Sequence, residues 1–350
     1  MLRRMSDADA PPGALIYAGV DEAGYGPRIG PLSVGLSVFQ ITGGRAAGAS
    51  SDGDHVPDVW RLLRGVVGKA SDVGKPNAPS IFIDDSKRLK GANGLKKRHP
   101  LDRLEQAVLA TLGALGAAPT TDQELFETLG ADQALSPWYV GEPVALPVST
   151  TADHIHLLGG VLGAGFRRKG VTPMALRCEL VGETAFNEII ARDGSKSAVN
   201  FSAVTTHLRY LWSHYGQSAP IVAIDRQGGR ERYGRQLAHA IPDATVRTIN
   251  ETHERSVYQL TQRTGAKRPG RTMTVLFEIK CDSNHLPTAL ASMIAKLVRE
   301  LAMARLNRYW CARMPELKPT AGYGVDVNRW LRAVDSVLTP TDRKQLIRLA

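Results

Sequence analysis

Three apolar runs of this chain each stop at a carboxylate. ALIYAGVDE (14–22) ends in Asp21 and Glu22, PIVAID (220–225) ends in Asp225, and TMTVLFEIKC (272–281) runs up to Asp282. Short runs rich in Val, Ile and Phe read as strands buried in a sheet. Charge is tolerated on such strands only where the chain leaves the core. Taken singly, each acid is an ordinary strand-end carboxylate or helix cap. Open sheets, however, gather functional groups just past strand ends. If these three strands are neighbours, four carboxylates face one crevice.

The remaining pattern fits around this frame. Residues 32–40 (LSVGLSVFQ) alternate like a strand, and the short glycine-rich connection from the first run predicts an antiparallel pair. Residues 79–84 read as a short strand before Ser86-Lys87-Arg88-Leu89, and 174–181 as a further strand. Helical spacing covers 101–115, 200–215 and 230–241. A long helix is expected over 287–309, with Leu290, Met293, Ile294, Leu297 and Leu301 on one face. A last helix is expected after Gly322-Tyr323-Gly324. Strands interleaved with helices predict an α/β fold, a mixed sheet with helices on both faces. It is expected to span 14–350 behind a flexible tail, 1–13, and to be enlarged by insertions near 41–57, 90–170 and 235–270. Within the second of these, Asp153-His154-Ile155-His156 alternates like a strand. His154 and His156 would then share a face, though surface or partly buried histidines account for them better than a metal site does.

Composition narrows the classes. With 43% hydrophobic and 22% charged residues the chain is an ordinary globular one. No apolar run approaches the ~18 residues of a membrane span, and no apolar stretch follows the first arginines as in a secretory leader. A cytoplasmic location is expected. Three cysteines, an odd number without a CxxC pair, argue against disulfides and cysteine zinc sites. The formal charge of +10 favours a polyanionic partner. Its clusters, Lys96-Lys97-Arg98, Arg167-Arg168-Lys169 and Arg226 to Arg235, are singly no more than solvated faces. Nothing in the sequence points to a protein partner.

Four carboxylates in one crevice repel one another and resist ionisation. Divalent cations relieve that conflict, and a purely oxygen donor set suits Mg²⁺ or Mn²⁺ better than zinc. Two such ions can hold a phosphodiester and activate water without any nucleophilic side chain.

Residues 19–31, GVDEAGYGPRIGP, closely resemble the N-terminal signature of the type 2 ribonucleases H, G-V-D-E-A/V-G-R-G-P-x-x-G-P. Further blocks follow in the family's order. Asp85-Ser86-Lys87-Arg88-Leu89 resembles D-S-K-K-L, and Ile224-Asp225 resembles the strand that carries the third acid. Lys280-Cys281-Asp282-Ser283 with Ala289 to Lys296 resembles K-G-D-S…A-A-A-S-I-x-A-K, and Gly322-Tyr323-Gly324 resembles K-G-Y-x-T. The resemblance covers about half the chain, in separated blocks. It implies a ribonuclease H-like fold and cleavage of the RNA strand of RNA–DNA hybrids, or of ribonucleotides embedded in duplex DNA. It also implies Mg²⁺ or Mn²⁺, two ions, held by Asp21, Glu22, Asp225 and Asp282. Gly24, Tyr25 and Gly26 would approach the ribose 2′-OH, the group that separates RNA from DNA, and Tyr323 would pack on the adjoining sugar. Arg28, Lys87 and Lys296 would serve phosphate or the acids.

Four departures stand out. Tyr25 replaces the family's arginine, Ala321 its lysine, and Arg226 the glycine after the third acid, while the segment between Asp225 and Asp282 is longer. Metal-dependent hydrolysis therefore carries over more firmly than ribonucleotide specificity. Two other readings stay open: a non-catalytic nucleic-acid-binding protein that kept the fold, and a structure-selective DNA nuclease.

Overall fold

The computed structural model describes residues 14–42, 56–91, 98–131, 136–263 and 270–349. The expected tail 1–13, most of the expected insertion 41–57, Lys96-Lys97 and residues 264–269 lie outside the described residues. Seven strands form the main sheet: β1 (Leu15–Ala23), β2 (Leu32–Ile41), β5 (Val171–Val181), β6 (Ile221–Asp225), β7 (Ala244–Glu251), β8 (Arg255–Gln262) and β9 (Thr272–Glu278). Between β2 and β5 in sequence, β3 (Val67–Gly68) and β4 (Ile81–Phe82) make a separate two-stranded sheet. The spatial order of the main sheet is β5-β2-β1-β6-β9-β8-β7. At its centre β1, β6 and β9 run parallel, and antiparallel pairs flank them on both sides.

Helices of eight residues or more are α1 (Asp102–Ala114), α2 (Asp122–Leu129), α3 (Ala152–Arg168), α4 (Glu183–Asp193), α5 (Lys196–Tyr215), α6 (Leu286–Arg313) and α7 (Gly324–Val334). Alternation along β1 sorts the core into two layers. Tyr17 joins the cluster built on α1, α3 and α6, while Ile16, Ala18 and Val20 join the one built on α5. The sheet is therefore mixed and covered on both faces, as the sequence predicts. Its central strands read as continuous apolar runs because both faces are buried. No helix among the described residues is long and apolar enough to cross a membrane.

Close packing of α6 sets the depth of the site. A Cβ on Gly19 would run into the backbone of Pro287 and Thr288, and one on Gly35 into the backbone of Ala291. Only glycine lets the helix lie this near β1 and β2.

Several expectations change. Strand β9 ends at Glu278, so Asp282 does not close a strand; it lies on a single helical turn, Cys281–Asn284. Lys280, with a left-handed φ of 56°, makes the break. Only Ile81–Phe82 of 79–84 is a strand, and only Gly234–Ala240 of 230–241 is helical. Asp153–His156 is not extended either: it begins α3, capped by Thr151, whose side chain accepts from the His154 amide. His154 and His156 sit on different sides of that helix, and both are exposed. The small residues of ADHIHLLGGVLGAGFRR hide the period, because glycines occupy the buried face. Residues 244–262 form a hairpin that continues the main sheet beyond β9.

Candidate active site

Asp21 and Glu22 are successive residues of a strand and so point to opposite faces. Asp21 turns toward α6, where Ser292 offers it a hydrogen bond; Glu22 turns toward α5 and Asn200. Because they stand near the end of β1, both still border the crevice beyond the sheet. Val20 pairs in register with Ile224, which puts Asp225 beside Asp21. Asp225 in turn pairs with Glu278, the last residue of β9. From there the chain folds back through the 281–284 turn, and the Cys281 amide donates to Asp225 Oδ1 at 2.9 Å. That bond fixes Asp282, one residue on, over the same crevice.

The electrostatics report this convergence. Burial raises the Asp21 carboxyl well above the usual range, and the charges of Glu22, Asp225 and Asp282 push it further. Asp225 is pushed up to about 7, first by burial and then by Glu22, against the pull of the Cys281 amide. Burial also raises Glu22, with Asn200 and Lys87 opposing. Asp282 is raised by burial and then by Asp85 and Asp84.

Lys87 is exposed on the short helix Ser86–Leu89, and its charge lowers Glu22, Asp225 and Asp282. A Ser86–Ser292 hydroxyl contact of 3.0 Å docks that helix on α6. Lys296, by contrast, is not brought to the acids: its ammonium binds Glu300 at 3.0 Å, which Lys90 shares at 3.3 Å. Arg226 also turns away. It donates to Arg230 O and to the carbonyls of Gly229 and His253, pinning the Gly228–Arg230 turn to the β7–β8 connection.

The sequence reading missed four neighbours of the acids: Asp84, Asp85, Asn200 and Ser292. Asp85 and Ser292 belong to blocks that resemble the family, where neither was assigned a role, and Asn200 sits at helical spacing in a stretch that reads as ordinary core. Neither the nitrogen nor the oxygen of the Asn200 amide makes a hydrogen bond of good geometry, although the side chain is fully buried.

A second group forms beside the acids. The Gly24–Gly30 loop closes on the Gly322–Tyr323 turn, with the Arg28 amide donating to Gly322 O at 3.0 Å. Gly322, at a φ of 85°, has no room for a Cβ, which would lie 2.6 Å from Ile29 O. Tyr25 is half-buried and feels the charges of Glu22 and Arg230, and its hydroxyl faces Gly228. Gly26 is exposed, and Arg28 donates to Asn328 Oδ1 at 2.6 Å. Tyr323 is 41% exposed, its ring 5.0 Å from the Arg299 guanidinium. Thus Gly24, Tyr25, Gly26 and Arg28 share one rim with Tyr323, far from them in sequence.

A mixed sheet with acids converging at its centre, and helices on both faces, completes the architecture. The fold is α/β, a mixed seven-stranded sheet with helices packed on both faces. Similar solved structures include the PCNA:RNase HII complex from Archaeoglobus fulgidus, at 14% identity over 96% of this chain and 94% of that one, TM-score 0.43. Ribonuclease H2 from Pyrococcus horikoshii is 15% identical over 95% and 92%, TM-score 0.43. Bst-RNase HIII in complex with Mn²⁺ is 14% identical over 96% and 66%, TM-score 0.45. No protein-family model matches the chain, and no curated protein matches it.

The four acids suit a hard divalent cation. Their donors are carboxylate oxygens, and burial with mutual repulsion favours whatever neutralises them. Among the described residues no three His, Cys, Asp or Glu side chains already form a metal cage.

Proposed function

We propose that this chain is a metal-dependent endonuclease that hydrolyses the RNA strand of RNA–DNA hybrids, or ribonucleotides embedded in duplex DNA. One observation carries the reading: strand register and the Cys281 amide bring Asp21, Asp225 and Asp282 to one crevice, where burial, and then the charges of Glu22, Asp225 and Asp282, raise the Asp21 carboxyl. A buried cluster of like charges is costly for stability alone. Its position beside the signature loop that resembles type 2 ribonucleases H makes phosphodiester chemistry the best account.

In this reading Asp21, Glu22, Asp225 and Asp282 hold Mg²⁺ or Mn²⁺. Bound there, such ions supply positive charge and Lewis acidity at a phosphodiester. Ser292 orients Asp21, and the buried Asn200 amide stands beside Glu22. Lys87 tempers the negative field that an approaching phosphate meets. Gly24 and Gly26 let the backbone come close to the ribose 2′-OH, Tyr323 packs on the adjoining sugar, and Arg28 lies within reach of the duplex backbone. Lys296, engaged by Glu300, has no direct part. The partner is a nucleic-acid duplex met in the cytoplasm by one catalytic domain spanning 14–350.

The test is cleavage with Mg²⁺ or Mn²⁺ of matched DNA, RNA, hybrid and single-ribonucleotide duplexes. Cutting confined to ribonucleotide-bearing duplexes is expected. Equal cutting of all-DNA duplex would replace this reading with a DNA nuclease, and no cutting with a binding protein.

A further inference from the structure

The Gly24–Gly30 loop lies outside any strand, so its buried carbonyls need donors from elsewhere. One side chain supplies three of them. Arg348 donates from Nη1 to Gly24 O at 2.6 Å and to Gly30 O at 3.3 Å, and from Nη2 to Tyr25 O at 3.0 Å. Its own amide donates to Arg28 O at 2.8 Å. A guanidinium suits this task because its donors are fixed in one plane and it stays charged.

Arg348 is itself firmly placed. It is 2% exposed, and its guanidinium lies 3.7 Å from the Phe186 ring. Asn187 takes the Leu349 amide at 2.7 Å and donates to Ile347 O at 2.8 Å, fastening the segment to α4. From the same helix Glu183 accepts the Gly30 amide at 2.9 Å. Beneath Gly24 lies a second buried arginine, Arg299, which a Cβ on Gly24 would strike. Arg299 donates to Ala321 O at 3.1 Å and faces the Tyr323 ring. The loop and Tyr323 thus rest on two adjacent guanidiniums.

We propose that Arg348 is a positioning residue that sets the substrate-reading form of the Gly24–Gly30 loop and, with Arg299, its spacing from Tyr323. This rests on the function proposed above. Without Arg348, three carbonyls lose their donor, and Gly24 and Gly30, at φ of 88° and 87°, are free to move. Binding must then order the loop, which raises KM. The acids stand on other elements, so kcat is little affected.

The experiment compares wild type, Arg348→Ala and Arg348→Lys by hydrogen exchange of the free protein and by steady-state cleavage of a single-ribonucleotide duplex. For Arg348→Ala we expect exchange of the Tyr25, Gly26, Arg28, Ile29 and Gly30 amides about tenfold faster with β1 and α6 still protected, and KM about tenfold higher with kcat within about threefold, the net worth of about one charge-assisted hydrogen bond. Arg348→Lys should recover part of both effects. Unchanged loop exchange in Arg348→Ala overturns the proposal. So does a fall in kcat at constant KM, or loss of protection everywhere with no rescue by lysine. A wild type that cuts no duplex defeats the function proposed above, while loop exchange still decides whether Arg348 sets the loop.

Discussion

Asp21 and Asp225 leave adjacent parallel strands side by side, one residue beyond the register pair Val20 and Ile224. This places two carboxylates where backbone geometry, not side-chain reach, keeps them together. Replacing Asp21 or Asp282 by Asn retains shape and removes one charge. Each variant is expected to keep its far-UV circular dichroism and lose detectable cleavage. Full activity in both would remove the proposed catalytic centre.

The acids also make stability depend on pH. Asp225 titrates near 7 when folded, against about 3.9 when unfolded, so folding favours its protonated form. Its contribution is therefore greatest below the unfolded value and is lost as pH rises through about 7. Asp21, Glu22 and Asp282 shift in the same direction. His207 opposes them: burial pulls it down to about 4, so its contribution is lost as pH falls below about 6.5. Comparison with Asp225→Asn cancels that term. In EDTA, thermal melts should show wild type gaining on the variant as pH drops from 8 to 5. Equal slopes would mean that Asp225 is not held in a repulsive cluster.

Gly19→Ala tests the approach of α6 to β1. The new methyl group would meet the backbone of Pro287 and Thr288 rather than a movable side chain. Such overpacking costs about 3 kcal/mol, read as a lower midpoint in urea unfolding. A loss under about 0.5 kcal/mol would show that the helix can retreat freely.

Tyr25 and Tyr323 are expected to respond in opposite ways. Tyr25→Arg should keep selectivity for ribonucleotide-bearing duplex and tighten binding, since one charge-assisted phosphate contact is worth about 1.5–3 kcal/mol at best. Tyr323→Ala removes the exposed ring and should weaken discrimination between RNA and DNA. Cleavage rates on paired ribonucleotide and all-DNA duplexes decide this. If Tyr323→Ala changes neither rate, sugar packing at that residue has no part in specificity.

Hydrophobic pattern alone determined the central strands, but not their order in the sheet. Strands β1, β2, β5, β6 and β9 and the long helix α6 were legible because burial on both faces, or along one face, leaves a regular apolar period. The four acids were legible as points where those runs stop, and the motif resemblance selected the same residues. Helix α3 was not legible, because glycine marks its buried face, and neither was the helical turn that carries Asp282, because one left-handed lysine ends β9 early. Local pattern also could not say which side chains would meet across the chain. Lys87 reaches the acids while Lys296 is claimed by Glu300, and Arg226 pins a turn. Asn200, Arg299 and Arg348 had no sequence signal, and Ser292 had none beyond its place in a block that resembles the family. Their roles arise from contacts between residues distant in sequence, and those distances exist only once the sheet and its helices have packed.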